Sequence, residues 1–385
     1  MKPPAARPWL LLFCLLAGIT ALSAAVWSWR QSTRPGRVHF ERGLDFAAAK
    51  QMPQAEQEWL AGVREDPGFP DNRAQLGDLY SALGRFRDAA GQYQDAIKLT
   101  PQDGSLFLRL ARADEAGGED EAALKPAERA AALRPEDAEA QGNFGVLAAK
   151  LNRPELALPP LTRAHSLSRD DADILIYLVR VEFQMHNLSG AERDLTPFVQ
   201  RHPDNAEACY LMASLLHQKP QTAASTQTAL DYAQRAHAAS PHNEQACVLL
   251  GQLYLEAQNP SGALPLFQQA QQTAPFSQDV LHGLVTCYTR LGRSALAAHA
   301  AADLKATVSR RTQLSLLQDR LHLHPDDTAA ALDAAHLEEE NKELPLARTY
   351  YRQAVRYAPQ DARARAALDA FLQRMDGHSA RHPSK

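Results

Sequence analysis

The stretch "YSALGRFRDAAGQYQDAIKLTP", Tyr80 to Pro101, decides how this chain is read. It is helical in composition, sets Ala89, Tyr93 and Ala96 on one side, and stops at a proline. A step of 34 residues in either direction finds the same furniture: Pro67 and Pro135 for Pro101, Ala55 and Ala123 for Ala89. The same step takes Tyr93 to Trp59 and Ala127, Ala96 to Gly62 and Ala130, and Gly77 to Gly43 and Ala111. Farther on, Pro203, Pro241, Pro275 and Pro359 each follow an alanine twelve positions earlier. A fixed period of this size marks a repeat architecture, in which each unit is one supersecondary element that buries its apolar face against its neighbours.

Numbering each unit so that its terminal proline is position 32 gives units near 36–69, 70–103, 104–137, 138–171, 172–205, 206–243, 244–277, 278–327 and 328–360. The fourth has Arg169 where the proline belongs, the sixth carries four extra residues around "KPQTAAST", and the eighth is long, with 50 residues from Pro275 to Pro325. The small residues at positions 8, 20 and 27, set among large ones at 4, 7, 11 and 24, resemble the tetratricopeptide repeat. The resemblance covers roughly Gly36 to Asp361. It implies an all-α, right-handed superhelical solenoid of about nine helix hairpins. In this reading position 8 of the first helix faces position 20 of the second, and position 27 admits the next unit. Proline ends each second helix, because it lacks an amide donor and clashes with the preceding turn. Asp or Asn two residues later (Asp103, Asp137, Asn205, Asn243, Asp327, Asp361) is placed to cap the next helix. Residues 361–375 read as an amphipathic capping helix and 376–385 as a polar tail.

Composition supports this and excludes other classes. A solenoid grows by stacking and needs no single core, so 385 residues do not require several globular domains. A formal net charge of -4 lacks the basic footprint of a nucleic-acid binder. The four cysteines are too few and irregular for a disulfide framework. The chain has no phosphate-binding glycine loop, no HExxH, no paired CxxC and no GxSxG. No catalytic residue, cofactor or metal is expected. The alternating His322 and His324 read as solvated, and the sequon Asn187-Leu188-Ser189 carries little weight.

Ahead of the repeats, a short basic N-terminus (1–8) precedes "WLLLFCLLAGITALSAAVWSW", Trp9 to Trp29, which contains no charged residue. Its length of about 20 residues matches a bilayer core, and Trp9, Trp27 and Trp29 fit the aromatic belts of a spanning helix. An uncleaved transmembrane anchor is the favoured reading. The alternative is a signal peptide cut near Val26, since Ser23 and Ala25 have acceptable spacing. Both place the repeats on the extracytoplasmic (periplasmic) side, beyond a linker at 30–35.

Function then rests on surfaces. The resemblance implies that the first helices line a concave groove for a partner's extended segment or helix, drawn from positions 2, 5, 6, 9, 12 and 13. Here these include four arginines, Arg109, Arg112, Arg180 and Arg290, and two tyrosines, Tyr177 and Tyr210. His217 and His282 join them, with the neutral Asn143, Ser214 and Gln252. Arginine and tyrosine are enriched at binding hot spots, and their mixture here points to an acidic, extended segment. Phe40, Leu44 and Gln75 stand where a chaperone-tail clamp would need Lys and Asn. The expected function is a non-enzymatic, membrane-tethered scaffold that binds protein partners and assists assembly or recruitment of a cell-envelope complex. The alternative is an accessory subunit of an envelope transferase or polymer-export system.

Overall fold

The computed structural model describes residues 34–219 and 223–379. The expected anchor, Trp9–Trp29, lies outside the described residues, as do most of the linker and the end of the tail. The described residues form 19 helices and no strand, in two compact units that divide after Gln200. No helix among them is long and apolar enough to cross a membrane.

The first unit holds five hairpins: α1 (Pro35–Ala48) with α2 (Met52–Glu65), α3 (Pro70–Ala82) with α4 (Phe86–Leu99), α5 (Gly104–Ala116) with α6 (Asp120–Leu133), α7 (Ala138–Lys150) with α8 (Pro154–Leu167), and α9 (Ala172–Gln184) with α10 (Leu188–Arg201). The second holds α11 (Ala206–Gln218) with α12 (Ala223–Ala239), α13 (Glu244–Glu256) with α14 (Pro260–Thr273), α15 (Gln278–Arg290) with α16 (Ser294–Leu323), and α17 (Thr328–Glu340) with α18 (Leu344–Tyr357). The last helix, α19 (Ala362–Ser379), runs four residues into the stretch read as a polar tail. The length of the eighth repeat resolves into α16, one continuous helix of 30 residues.

Side-chain caps start the first helices. Asp103 accepts from the Ser105 amide, Asp137 from Glu139 and Ala140, Asn205 from Ala208, Asn243 from Ala246, Asp327 from Ala330 and Asp361 from Arg363. Each satisfies an amide that the helix leaves without an internal partner. Asp171 does the same for Ile174 in the repeat that has lost its proline. There α8 still ends at Leu167, with the Ser168 amide on the Ala164 carbonyl at 2.9 Å, as the Thr100 amide sits on Ala96 at 3.0 Å before Pro101. The stop is therefore a property of the turn and of the cap that follows it, and the proline only reinforces it. Within hairpins the turn residue has positive φ: glycine at 84, 118 and 292, but Lys50, Asn152, His186, Gln258 and Lys342 elsewhere. Only glycine adopts this conformation without a Cβ penalty.

Packing adds one contact to the sequence expectation. A Cβ on Gly77 would stand 2.5 Å from the Tyr93 ring, one on Gly43 2.1 Å from Trp59, and one on Gly251 2.8 Å from Phe267. The atoms nearest position 8 thus belong to the large side chain at position 24, beside the expected small residue at position 20. In the third repeat, position 8 is Ala111 and position 24 is Ala127, both fully buried; in the ninth, Ala335 and Tyr351 are buried together. Position 27 does admit the next unit: the atoms nearest a Cβ on Gly62 belong to Asn72, whose amide donates to the Gly36 carbonyl at 2.7 Å.

In the second unit, Leu317 and Leu321 of α16 pack on Ala330, Ala331, Ala334 and Leu337 of α17. The end of the array is closed by Phe371 of α19 against Tyr351, ring centroids 5.2 Å apart. Glu339 ties the pair down, accepting from the Tyr351 hydroxyl at 2.9 Å and from Arg374 at 2.7 Å.

Candidate partner-binding faces

The two units present different first-helix faces. In the first unit the expected cations are committed to acids of neighbouring repeats. Arg109 donates to Asp78 at 2.9 Å, and Asp78 also accepts from the Tyr93 hydroxyl at 2.7 Å. Arg112 is paired with Glu139. Asn143 and Lys150 both donate to Glu115, at 3.4 and 2.6 Å. Burial and the hydroxyl's bond to Asp78 push the Tyr93 phenol well above its usual range. Tyr177 is half-buried against the cluster around Phe144 and Ile174, and Arg180 is exposed. Arg109 and Arg112, read from the sequence as cations facing an acidic segment, each hold an acid of a neighbouring repeat in this structure. Their partners Asp78, Glu115 and Glu139 were missed, although opposite charges 27 to 35 residues apart are visible in the sequence.

The second unit brings four of the expected residues together. Tyr210, Ser214 and His217 of α11 and Gln252 of α13 line one cavity of about 300 Å³. They share a face because positions 5, 9 and 12 of a helix lie three or four residues apart. Val248 and Leu249 supply apolar surface, and Gln218, Gln245, Glu244 and Asp279 complete the lining. The arrangement offers amide and hydroxyl groups that both donate and accept, the complement of a polypeptide backbone. His217 Nδ1 lies 3.5 Å from Glu256. His282 is exposed and does not line this cavity. Arg290 donates to the Leu255 carbonyl at 2.6 Å, at the end of α13, where that carbonyl also accepts from the Gln258 amide at 3.2 Å.

No group of three or more His, Cys, Asp or Glu among the described residues could hold a metal ion, and His322 and His324 are exposed. Cys209, Cys247 and Cys287 are free and buried; burial raises all three thiols, Cys287 to about 11. Such thiols are poor nucleophiles at neutral pH. In the sequon, Asn187 donates to Glu182 at 3.1 Å and caps the Gly190 amide at 3.2 Å, so its side chain is already engaged.

Residues 75–138 and 248–307 match the family described as tetratricopeptide repeat. Curated proteins offer no match. Among solved structures, the chain is similar to YrrB, described as a TPR protein with an unusual peptide-binding site, at 19% identity over 49% of this chain and 95% of that one, TM-score 0.45. It is also similar to pilF of Pseudomonas aeruginosa, at 20% identity over 55% and 95%, TM-score 0.46. A third is PilW, described as a widely conserved type IV pilus biogenesis factor, at 18% identity over 55% and 96%, TM-score 0.44. At these identities and scores nothing about the function of this chain follows from the solved structures. The matched segments fall one in each unit, on helix hairpins of the described chain: this protein contains tetratricopeptide repeats.

Proposed function

We propose that this protein is a non-enzymatic scaffold that holds an extended segment of a protein partner on the first-helix face of its C-terminal unit. The observation that carries the reading is the cavity lined by Tyr210, Ser214, His217 and Gln252, where neutral donors and acceptors surround apolar surface. Tyrosine adds contact area at low entropic cost, with a polar end that finds partners in a wet site. The corresponding face of the first unit has its charges internally paired, so the C-terminal unit is the better receiver. Residues 9–29 tether the chain to a membrane, with the repeats on the extracytoplasmic side, where they assist assembly or recruitment of an envelope complex. Support for the tether is the uncharged stretch flanked by tryptophans.

A photo-crosslinking residue placed at Ser214 or Gln252 should capture a protein in cells, whereas one at the exposed Gln272 on α14 should not. Equal capture at all three positions, or capture at Gln272 alone, would move the binding face elsewhere. The tether has its own check: carbonate-washed membranes should retain the chain with its N-terminal peptide intact, and a mature chain starting near Val26 would overturn it.

A further inference from the structure

The cavity on the first-helix face does not stand alone. A second cavity, of about 640 Å³, lies beside it, and Glu244 and Asp279 line both. Its far wall comes from α16, through Thr307, Arg311 and Leu314, and from the turn that contains Lys342. Other second helices of the array, such as α14, have 14 residues, a length that α16 reaches at Thr307. Most of this wall therefore exists because α16 is long. Arg310, stacked 4.7 Å from the centre of the Phe276 ring, holds the lengthened helix to the loop before α15.

Two features of the joined cavities point to a ligand. Glu244 and Asp279 have no Lys or Arg within ion-pair distance among the described residues, unlike Asp78, Glu139 and Glu115, which pair across repeats. Thr307, only 8% exposed, lines the second cavity, and its hydroxyl has no hydrogen-bond partner. A buried hydroxyl without a partner is destabilising, and a ligand's carbonyl or amide would supply the missing bond. The spaces are far larger than a bare ion and are lined by amides as well as carboxylates.

We infer that Glu244 and Asp279 form a seat for a lysine or arginine side chain of an extended protein segment that runs from the first-helix cavity into the one walled by α16. This rests on the protein-binding reading above and adds the charge class of the partner: basic at the seat. The carboxylates supply charge-assisted hydrogen bonds to the cation. Gln245 and Gln252 meet the backbone on one side, and Thr307 on the other. Arg311 and Lys342 would repel a second cation placed deeper, so one basic residue, and not a polybasic run, fits the site.

The test uses the full-length chain in a nonionic detergent and two fluorescein-labelled nonapeptides, one of serines with a single central lysine, the other with glutamate in its place. Fluorescence anisotropy should show binding of the lysine peptide at least about tenfold tighter than of the glutamate peptide, weakening at ~0.5 M salt. Glu244→Gln combined with Asp279→Asn should remove that preference while leaving the circular dichroism melt in place. Should the double variant melt early, Gln245→Lys decides, because it brings a competing cation without touching either carboxylate. Equal affinity for the two peptides, no binding of either, or a preference that survives in a folded variant overturns the inference. Crosslinking at Gln252 separates the two ideas: capture there with no lysine preference leaves the binding face standing and removes only the cation seat.

Discussion

The first-helix faces of residues 34–200 and of residues 201–379 are built on one repeat pattern, yet they end in opposite states. In the N-terminal unit, Asp78 with Arg109, Arg112 with Glu139, and Glu115 with Lys150 lace successive repeats together. In the C-terminal unit the same helix positions carry Tyr210, Ser214, His217 and Gln252 around a cavity, with Glu244 and Asp279 left without a Lys or Arg partner. The scaffold is indifferent to this choice, because glycine-to-ring contacts and capped turns hold the hairpins in both units. The solvent-facing positions of the first helices are free to be zipped or left open. A face whose charges are matched internally has little left to offer a charged ligand, whereas the unmatched face keeps its carboxylates available.

The sharpest way to break the comparison is to damage one scaffold and read the other. Gly251→Leu would force its side chain through the Phe267 ring, already 2.8 Å from where a Cβ would stand, and Phe267 is also closed in by Gly283 of the next repeat. We expect a loss of about 3 kcal/mol, at the upper end for overpacking. Hydrogen exchange should rise across α13, α14 and α15, while α1 to α6 keep their protection, since repeat stability passes between neighbours. Equal loss of protection in α1 to α6 would mean that the array unfolds as one body.

A smaller effect separates the units by pH. Glu182 of α9 is 1% exposed, with one carboxylate oxygen lacking a partner. Burial first, and the charge of Asp194 second, raise it from 4.5 to about 7, against a weaker opposing pull from Arg193. The folded chain therefore holds this proton where the unfolded chain has lost it. The contribution is fully present below about pH 4.5 and declines as pH rises toward about 7. Glu182→Gln should flatten that decline for α9 and α10, raising their stability at pH 8 by up to about 3 kcal/mol at ~1.4 kcal/mol per pKa unit. An unchanged pH profile would show that Glu182 reaches water in solution.

The smallest test sharpens the contrast of the faces themselves. Arg109→Gln breaks a pair whose side chains are each 40% exposed. It should cost the N-terminal unit no more than about 1 kcal/mol, and added salt should erase part of the difference. Binding at the C-terminal face should be unaffected. A large loss of partner capture would return Arg109 to the role that its sequence position first suggested.

Much of this was written in the order of residues. Alanine at position 20, small residues at 8 and 27 and the acidic or amide caps two residues past each proline are set by contacts at helical spacing and by local hydrogen bonds. These act within a few residues and repeat at a constant step, so they can be read without coordinates. Even the missing proline at Arg169 left a legible sign, Asp171, at the capping position. What stayed hidden depends on distances between repeats and on how long side chains lie. The sequence ranks Gly77 and Ala89 as facing partners, and the structure adds the Tyr93 ring, whose atoms stand nearest to the glycine. Arg109 and Arg112 read as free cations because their acids stand 31 and 27 residues away, close only after two hairpins have stacked. Nothing near Glu182 in the sequence marks it as buried; α10 covers it, with Gly190 against its carboxylate. The extra length of the eighth repeat allowed an extended second helix or an additional one; it is the continuous run of α16, packed on α17 through Leu317 and Leu321, that turns sixteen extra residues into the wall of a cavity. Local chemistry repeats and is therefore readable, whereas pairing across repeats depends on which side chains the stacked helices bring within reach.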